Sequence, residues 1–211
     1  MSHRLLAQDV TKNVISLSNN KSHYNSAKKL AEEEKPGPVL INLAQGENEE
    51  FQKNIQSSIA KPNSKLACLR EIENSRRPII IVGSIARRME LSGLIARIKV
   101  PIFTTVAAKG VIDECLNVSA GIYTGAGLEL TPEYNLFNHA DLVIGIGLRN
   151  EEVISAHPFP CQSISVDNVS GESLEGFDFK YMTDLSNIGL LLDALNSHQW
   201  GMDLVEETLN K

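Results

Sequence analysis

His139-Ala140-Asp141-Leu142-Val143-Ile144-Gly145-Ile146-Gly147-Leu148-Arg149-Asn150-Glu151-Glu152 is the stretch on which the fold turns. Its apolar run, Leu142 to Ile146, starts just after an acid and stops at Gly147, where polar residues take over. A run of that length between turn residues reads as a strand buried on both faces, as strands of parallel sheets are. Ligands of open parallel sheets sit beyond the carboxyl ends of the strands, so Gly147 to Glu152 falls where a binding loop belongs.

Similar runs lie on either side. Ile79-Ile80-Ile81-Val82-Gly83, after Arg77-Pro78, is the strongest strand signal in the chain. Val100-Pro101-Ile102-Phe103-Thr104-Thr105 is another, with proline near its start where it costs least. Ser163 to Asp167 closes on an acid, and Phe177, Phe179 and Tyr181 alternate with polar residues as in a half-exposed edge strand. Helical periodicity fills the intervals. Pro62 to Ser75 carries Leu66, Leu69 and Ile72 on one face, and Ser84 is placed to cap a helix with Ile85, Met89, Leu94, Ile95 and Ile98 inward. Thr131-Pro132 opens a short helix, and Asp184 caps a last one with Leu185, Ile188, Leu191, Leu192 and Leu195 inward. Gly121 to Gly127 reads as a glycine-rich loop. Strand and helix alternate through residues 57–198, which predicts an α/β fold: a doubly wound, Rossmann-like parallel sheet flanked by helices on both faces.

The chain before residue 57 has a different texture. Residues 1–21 are polar and weakly patterned. Ser22 to Lys35 places Tyr24, Ala27, Leu30 and Ala31 on one helical face. Lys35-Pro36-Gly37-Pro38 stops that helix, and Val39 to Leu43 reads as a buried strand. The expected organisation is a helix-turn-strand piece over 1–45, a polar linker over 46–56, a central domain over 57–198 and a C-terminal linker over 199–211.

Composition narrows the function classes. The 211 residues are 42% apolar and 22% charged, with a formal net charge of −6, the profile of an ordinary globular protein able to bury a sizeable core. An acidic balance argues against a nucleic-acid partner, which needs a basic face. Arg76, Arg77, Arg87 and Arg88 cluster around one strand and read first as a solvated rim. Cys68, Cys115 and Cys161 are far apart and form no Cys-x-x-Cys pair, so neither a disulfide framework nor a zinc site is indicated, and a reducing cytoplasm fits. The N-terminus has no signal-peptide core, and no apolar run is long enough to cross a membrane.

Four pieces in order carry a resemblance: Arg77 to Gly83; Pro101 to Thr105 with Lys109-Gly110; Gly121; and Ala140 to Arg149. Together they resemble the central domain of thiamine-diphosphate-dependent enzymes such as acetolactate synthase, pyruvate oxidase and the 2-oxo acid decarboxylases, over roughly residues 55–200. Asp9-Val10-Thr11-Lys12, the following helix and Gly37 to Leu43 are similar to the closing segment of that family's N-terminal pyrimidine-binding domain. The resemblance implies that the family's cofactor-activating glutamate has no counterpart here. It also implies that the metal-binding Gly-Asp-Gly motif belongs to the C-terminal domain; this sequence has none. Thiamine diphosphate and magnesium are therefore expected in the complete enzyme, none in this chain alone, with no catalytic group and no metal ligand here. The expected partners are the pyrimidine- and diphosphate-binding domains of the same enzyme, in a homo-oligomer.

Some members of the family hold an adenine nucleotide, FAD or ADP, in this domain. Phosphates want backbone N–H groups where glycine permits close approach. The residues that would serve are Gly83 and Ser84 after the first strand, Thr104, Lys109 and Gly110 after the second, Gly147 and Arg149 after the fourth, and Asp167, which could accept ribose hydroxyls. This sequence departs from the flavin-binding pattern at Gly83-Ser84-Ile85-Ala86, where those relatives carry further glycines, and at Gly147 to Glu152, which lacks their aromatic residue. Plainer readings stand beside these. Gly145 and Gly147 serve as packing glycines, Lys109-Gly110 as a turn with a solvated lysine, and Asp141 as a strand-start residue in a hydrogen-bonded turn. His139 and His157 have no partner at metal spacing. An alternative from a different class is a free-standing nucleotide-binding module, or a subunit of a split enzyme. A sirtuin-like deacylase would need two zinc-binding cysteine pairs, which are absent.

Overall fold

The structure, a computed structural model, describes residues 7, 9–17, 21–33, 36–43, 65–126, 129, 131–153, 159–168, 174 and 176–209. The expected 46–56 linker, the Pro62 helix start and His157 lie outside the described residues. The chain divides into two compact units, Met1–Gln56 and Ser57–Lys211.

The first unit is a β-α-β arrangement. Strand β1 (Asn13–Leu17) pairs in parallel with β2 (Val39–Leu43), Asn13 facing Val39 and Leu17 facing Leu43, and α1 (Lys21–Glu32) connects them. Strand β1 falls inside residues 1–21, whose polar, weakly patterned sequence predicts no strand. Ala27 of α1 and Ile15 of β1 are buried, whereas Tyr24, placed on the inward helical face, is 58% exposed. Val39 to Asn42 are half-buried rather than buried; among the described residues each strand of this sheet has one neighbour.

The second unit is built on a six-stranded, wholly parallel sheet in the order β5-β4-β3-β6-β7-β8. Its strands are β3 (Pro78–Val82), β4 (Ile102–Thr104), β5 (Ser119–Ile122), β6 (Leu142–Ile146), β7 (Gln162–Asp167) and β8 (Phe179–Met182). The first of these strands lies beside the fourth, so the winding reverses between β3 and β6. That is the switch point of a doubly wound sheet. Strand β8 is an edge strand and half-exposed along its length, as the alternation of Phe179 and Tyr181 predicts.

Both faces of the sheet are covered, which is why the central strands are continuously apolar. Ile80 and Val82 point into one layer with Ile72 of α2 (Lys65–Asn74), Ile85 of α3 (Ser84–Arg88), Ile95 of α4 (Ser92–Ile95) and Leu191, Leu192 and Leu195 of α6 (Gly189–Leu195). Ile79 and Ile81 point into the other, with Leu136 and Phe137 of α5 (Pro132–Phe137) and Val205 of α7 (Met202–Leu209). In that second layer Phe103 stacks on Phe137 at 5.6 Å between ring centroids, and Phe159 tilts against Phe177 at 4.9 Å.

Five local readings change. The helix expected to run on from Ser84 is two short helices, broken at Glu90, whose φ of 54° lies in the left-handed region. The break turns Leu91 inward between Ile85 and Ile95, all three buried. Ser84 does not cap α3: Gly83 occupies the cap position, and no side chain bonds to that turn from it. The glycine-rich stretch begins as strand, since Gly121 lies within β5. The stretch read as a C-terminal linker contains α7, whose Val205 is 2% exposed, while Trp200 donates its indole N–H to Pro78 O at 2.7 Å. Leu66, read on the apolar face of α2, is 66% exposed; Leu69 and Ile72 do pack inward.

Candidate functional site

The carboxyl ends of β3, β4, β6 and β7 converge on the switch point, and most of the expected site residues lie there. Gly83 directly follows β3 and donates its N–H to Ile146 O at 2.9 Å. Ile85 N–H donates to Gly147 O at 3.3 Å, and Ala86 N–H to Gly83 O at 3.1 Å. Gly147, with φ 61°, can turn the chain there because it lacks a side chain. A Cβ on it would stand 2.8 Å from Ile85 Cβ, so it packs against the first turn of α3. A Cβ on Gly145 would meet Leu148 and Phe177, each at 2.6 Å. Both glycines thus have the packing role that the sequence offered as the plainer reading.

The side chain that reaches this corner is Glu152, which the sequence reading left unassigned. Its carboxylate accepts the Ser84 N–H at 2.9 Å, the Ser84 hydroxyl, and the Thr105 hydroxyl at 2.7 Å. Loops that follow three different strands meet on one carboxylate. Thr105 is fully buried, whereas Thr104, the expected candidate, lies within β4 and accepts the Tyr123 N–H through its carbonyl. Nothing local distinguishes Glu152 from the exposed Glu151 beside it.

On the far side of β6, Arg149 and Asp167 engage each other. Arg149 Nη1 is 2.5 Å from Asp167 Oδ2, and Nη2 donates to Oδ1 at 3.1 Å, with the two side chains 5% and 0% exposed. Arg149 Nη1 also donates to Leu148 O at 2.8 Å, and the Asn168 N–H donates to Asp167 Oδ1 at 2.7 Å. A forked, buried guanidinium–carboxylate pair of this kind is a strong and geometrically specific contact. The expectation that Arg149 faces phosphate and Asp167 faces ribose meets a different arrangement: the two are turned toward each other in the interior.

Lys109 and Gly110 stand apart from this corner. Lys109 is exposed and pairs with Glu114 at 3.3 Å, and Gly110 turns the chain at φ 87° with open space where a Cβ would be. Arg76, Arg77, Arg87 and Arg88 are all exposed. Asp141 accepts the Arg76 and Arg77 N–H groups, each at 2.8 Å, the turn expected of it. His139 is exposed, with Nδ1 2.8 Å from Asn135 O.

A second buried carboxylate holds the loop after β5. Glu133, 1% exposed, accepts the Thr124 N–H at 2.9 Å and the Thr124 hydroxyl at 2.8 Å. Burial first, and the charge of Glu133 second, hold the Tyr123 phenol above its ordinary range. Among the described residues no group of three or more His, Cys, Asp or Glu could hold a metal ion, and no helix is long and apolar enough to cross a membrane.

The family model described as the thiamine pyrophosphate enzyme central domain matches residues 67–185. The chain is similar to the Probable 2-ketoarginine decarboxylase AruI of Pseudomonas aeruginosa, 32% identical over 83 residues, which are 38% of this chain and 14% of that relative. In fold it is similar to a solved protein from Mycobacterium smegmatis assigned as a thiamin diphosphate-dependent enzyme. The TM-score is 0.60 at 14% identity, over 90% of this chain and 40% of that one. The chain therefore spans only a minor part of the length of either relative.

Proposed function

We propose, starting from the fact that this chain belongs to the family of thiamine pyrophosphate enzyme central domains, that it serves a thiamine-diphosphate-dependent 2-oxo acid decarboxylase as a packing domain without a catalytic group. The observation that carries this reading is the pairing of polar side chains at the strand ends. Arg149 binds Asp167, and Glu152 binds Ser84 and Thr105, so the residues that would do chemistry are spent on one another. The decarboxylase class is supported by the similarity to the 2-ketoarginine decarboxylase. In the complete enzyme, thiamine diphosphate and magnesium are held by the pyrimidine- and diphosphate-binding domains, and this unit packs between them.

The test is an assay of the 211-residue chain with thiamine diphosphate, magnesium and a panel of 2-oxo acids that includes 2-ketoarginine. No release of carbon dioxide is the expected result, and turnover by the chain alone would refute the reading. A free-standing nucleotide-binding module would instead need free donors at the switch point, where the Gly83 to Ala86 amides already have acceptors.

A further inference from the structure

We propose that Glu152 is an internal clasp that closes the crevice between β3 and β6, so that this central domain admits no nucleotide diphosphate there. In an open sheet the crevice at the switch point is where a diphosphate is held, by backbone N–H groups that glycine allows it to approach. Here four successive amides have acceptors within the chain. Gly83 gives to Ile146 O at 2.9 Å, Ser84 to Glu152 at 2.9 Å, Ile85 to Gly147 O at 3.3 Å and Ala86 to Gly83 O at 3.1 Å.

The Glu152 carboxylate brings to this corner what a phosphate would bring: anionic oxygens facing one amide and the hydroxyls of Ser84 and Thr105. A diphosphate entering the same place would meet a like charge and would have to displace all three contacts. Sterics act in the same direction. The open face of Gly83, where a Cβ would stand, lies only 2.2 Å from Gly147 O, so the glycine admits its own backbone neighbour and not a ligand. Across β6, Asp167 is held by the Arg149 fork and by the Asn168 amide. FAD and ADP therefore do not fit the residues as arranged. The clasp also joins segments 47 and 68 residues apart in the chain, so it fixes the three loops relative to one another. This goes beyond the packing role, because a packing domain could still hold a nucleotide, and either statement can fail alone.

The test compares the wild-type chain with E152A and with E152M, which keeps the length of the side chain and removes its acceptors. Hydrogen exchange at the Ser84 amide is expected to be at least about tenfold faster in both variants, with exchange at the Ile164 amide unchanged, because only local opening is altered. Titration of ADP, and separately of FAD, into the wild-type chain is expected to leave the Ser84 and Thr105 amide resonances in place. Equal Ser84 exchange in wild type and variant overturns the clasp. Saturable movement of either resonance in the wild-type chain overturns it as well. If E152A does not fold, E152M carries the comparison.

Discussion

Gly83 and Gly147 meet so closely across the switch point that a β-carbon on Gly83 would stand 2.2 Å from the Gly147 carbonyl oxygen. The obstacle is backbone, fixed by the N–H of Gly83 on Ile146 O and of Ile85 on Gly147 O, and so cannot swing aside. Overpacking a core usually costs about 1–3 kcal/mol, and a rigid backbone obstacle belongs at or beyond the top of that range. G83A is expected to lower stability by about 3 kcal/mol or more, read from urea midpoints at an unchanged m-value.

The Arg149–Asp167 pair is buried on both sides. Removing one partner breaks a buried, forked charge pair, a loss of about 3–5 kcal/mol. D167A and R149M should each fall in that range. The double variant R149M/D167L should cost clearly less than the sum of the two single changes, since each single change already loses the same contact. Chemical denaturation of the three proteins in a double-mutant cycle checks this.

Helix α7 covers the second face of the sheet through Val205, whereas Leu209 at its end is 52% exposed. Shortening a buried valine loses its transfer free energy and leaves a void, about 1–3 kcal/mol, while a surface change stays within roughly 0.5 kcal/mol. V205A should lower the thermal midpoint clearly more than L209A does. Equal effects of the two would mean that α7 is not docked.

Burial first, then the negative charges of Asp141 and Asp178, push the Cys161 thiol up from an ordinary 9.0 to about 11. The folded chain thus keeps this proton at a pH where the unfolded chain has begun to lose it. The sign follows from proton linkage: the stabilisation is whole below pH 9.0 and is lost as pH rises toward about 11. Urea midpoints of wild type should fall more steeply over that interval than those of C161A. Parallel slopes would show that the thiol is not perturbed.

How much could be read in advance depended on where the determining contacts lie. Leu142 to Ile146 and Ile79 to Val82 declare themselves, because a strand buried on both faces needs apolar residues at every position. Strand β5, Ser-Ala-Gly-Ile, does not. It lies at the sheet edge beneath close neighbours, with Leu209 Cδ2 3.7 Å and Pro132 Cγ 3.9 Å from where a Cβ on Gly121 would be, and small residues suit that space without making an apolar run. Strand β1 was obscured for a different reason: among the described residues it pairs with β2 alone, and only Val14, Ile15 and Leu17 carry an apolar signal. Helix α7 has too few apolar positions to stand out from a linker until the sheet face it covers is known.

At the candidate site the limit was sharper. Gly83, Ser84, Gly147, Arg149 and Asp167 were placed at the strand ends by the sequence, and the structure holds them there. Their partners could not be foreseen. Ser84 and Thr105 find Glu152 across 68 and 47 residues, and Arg149 finds Asp167 across 18.

The amino-acid order alone determined the class of fold, because burial on one or two faces imposes a period that can be read along a single strand or helix. Only the tertiary structure decided which polar groups at the strand ends face outward and which are spent on one another. Such pairings are made between loops distant in the chain, and a hydrogen bond across 68 residues leaves no period in the sequence to read.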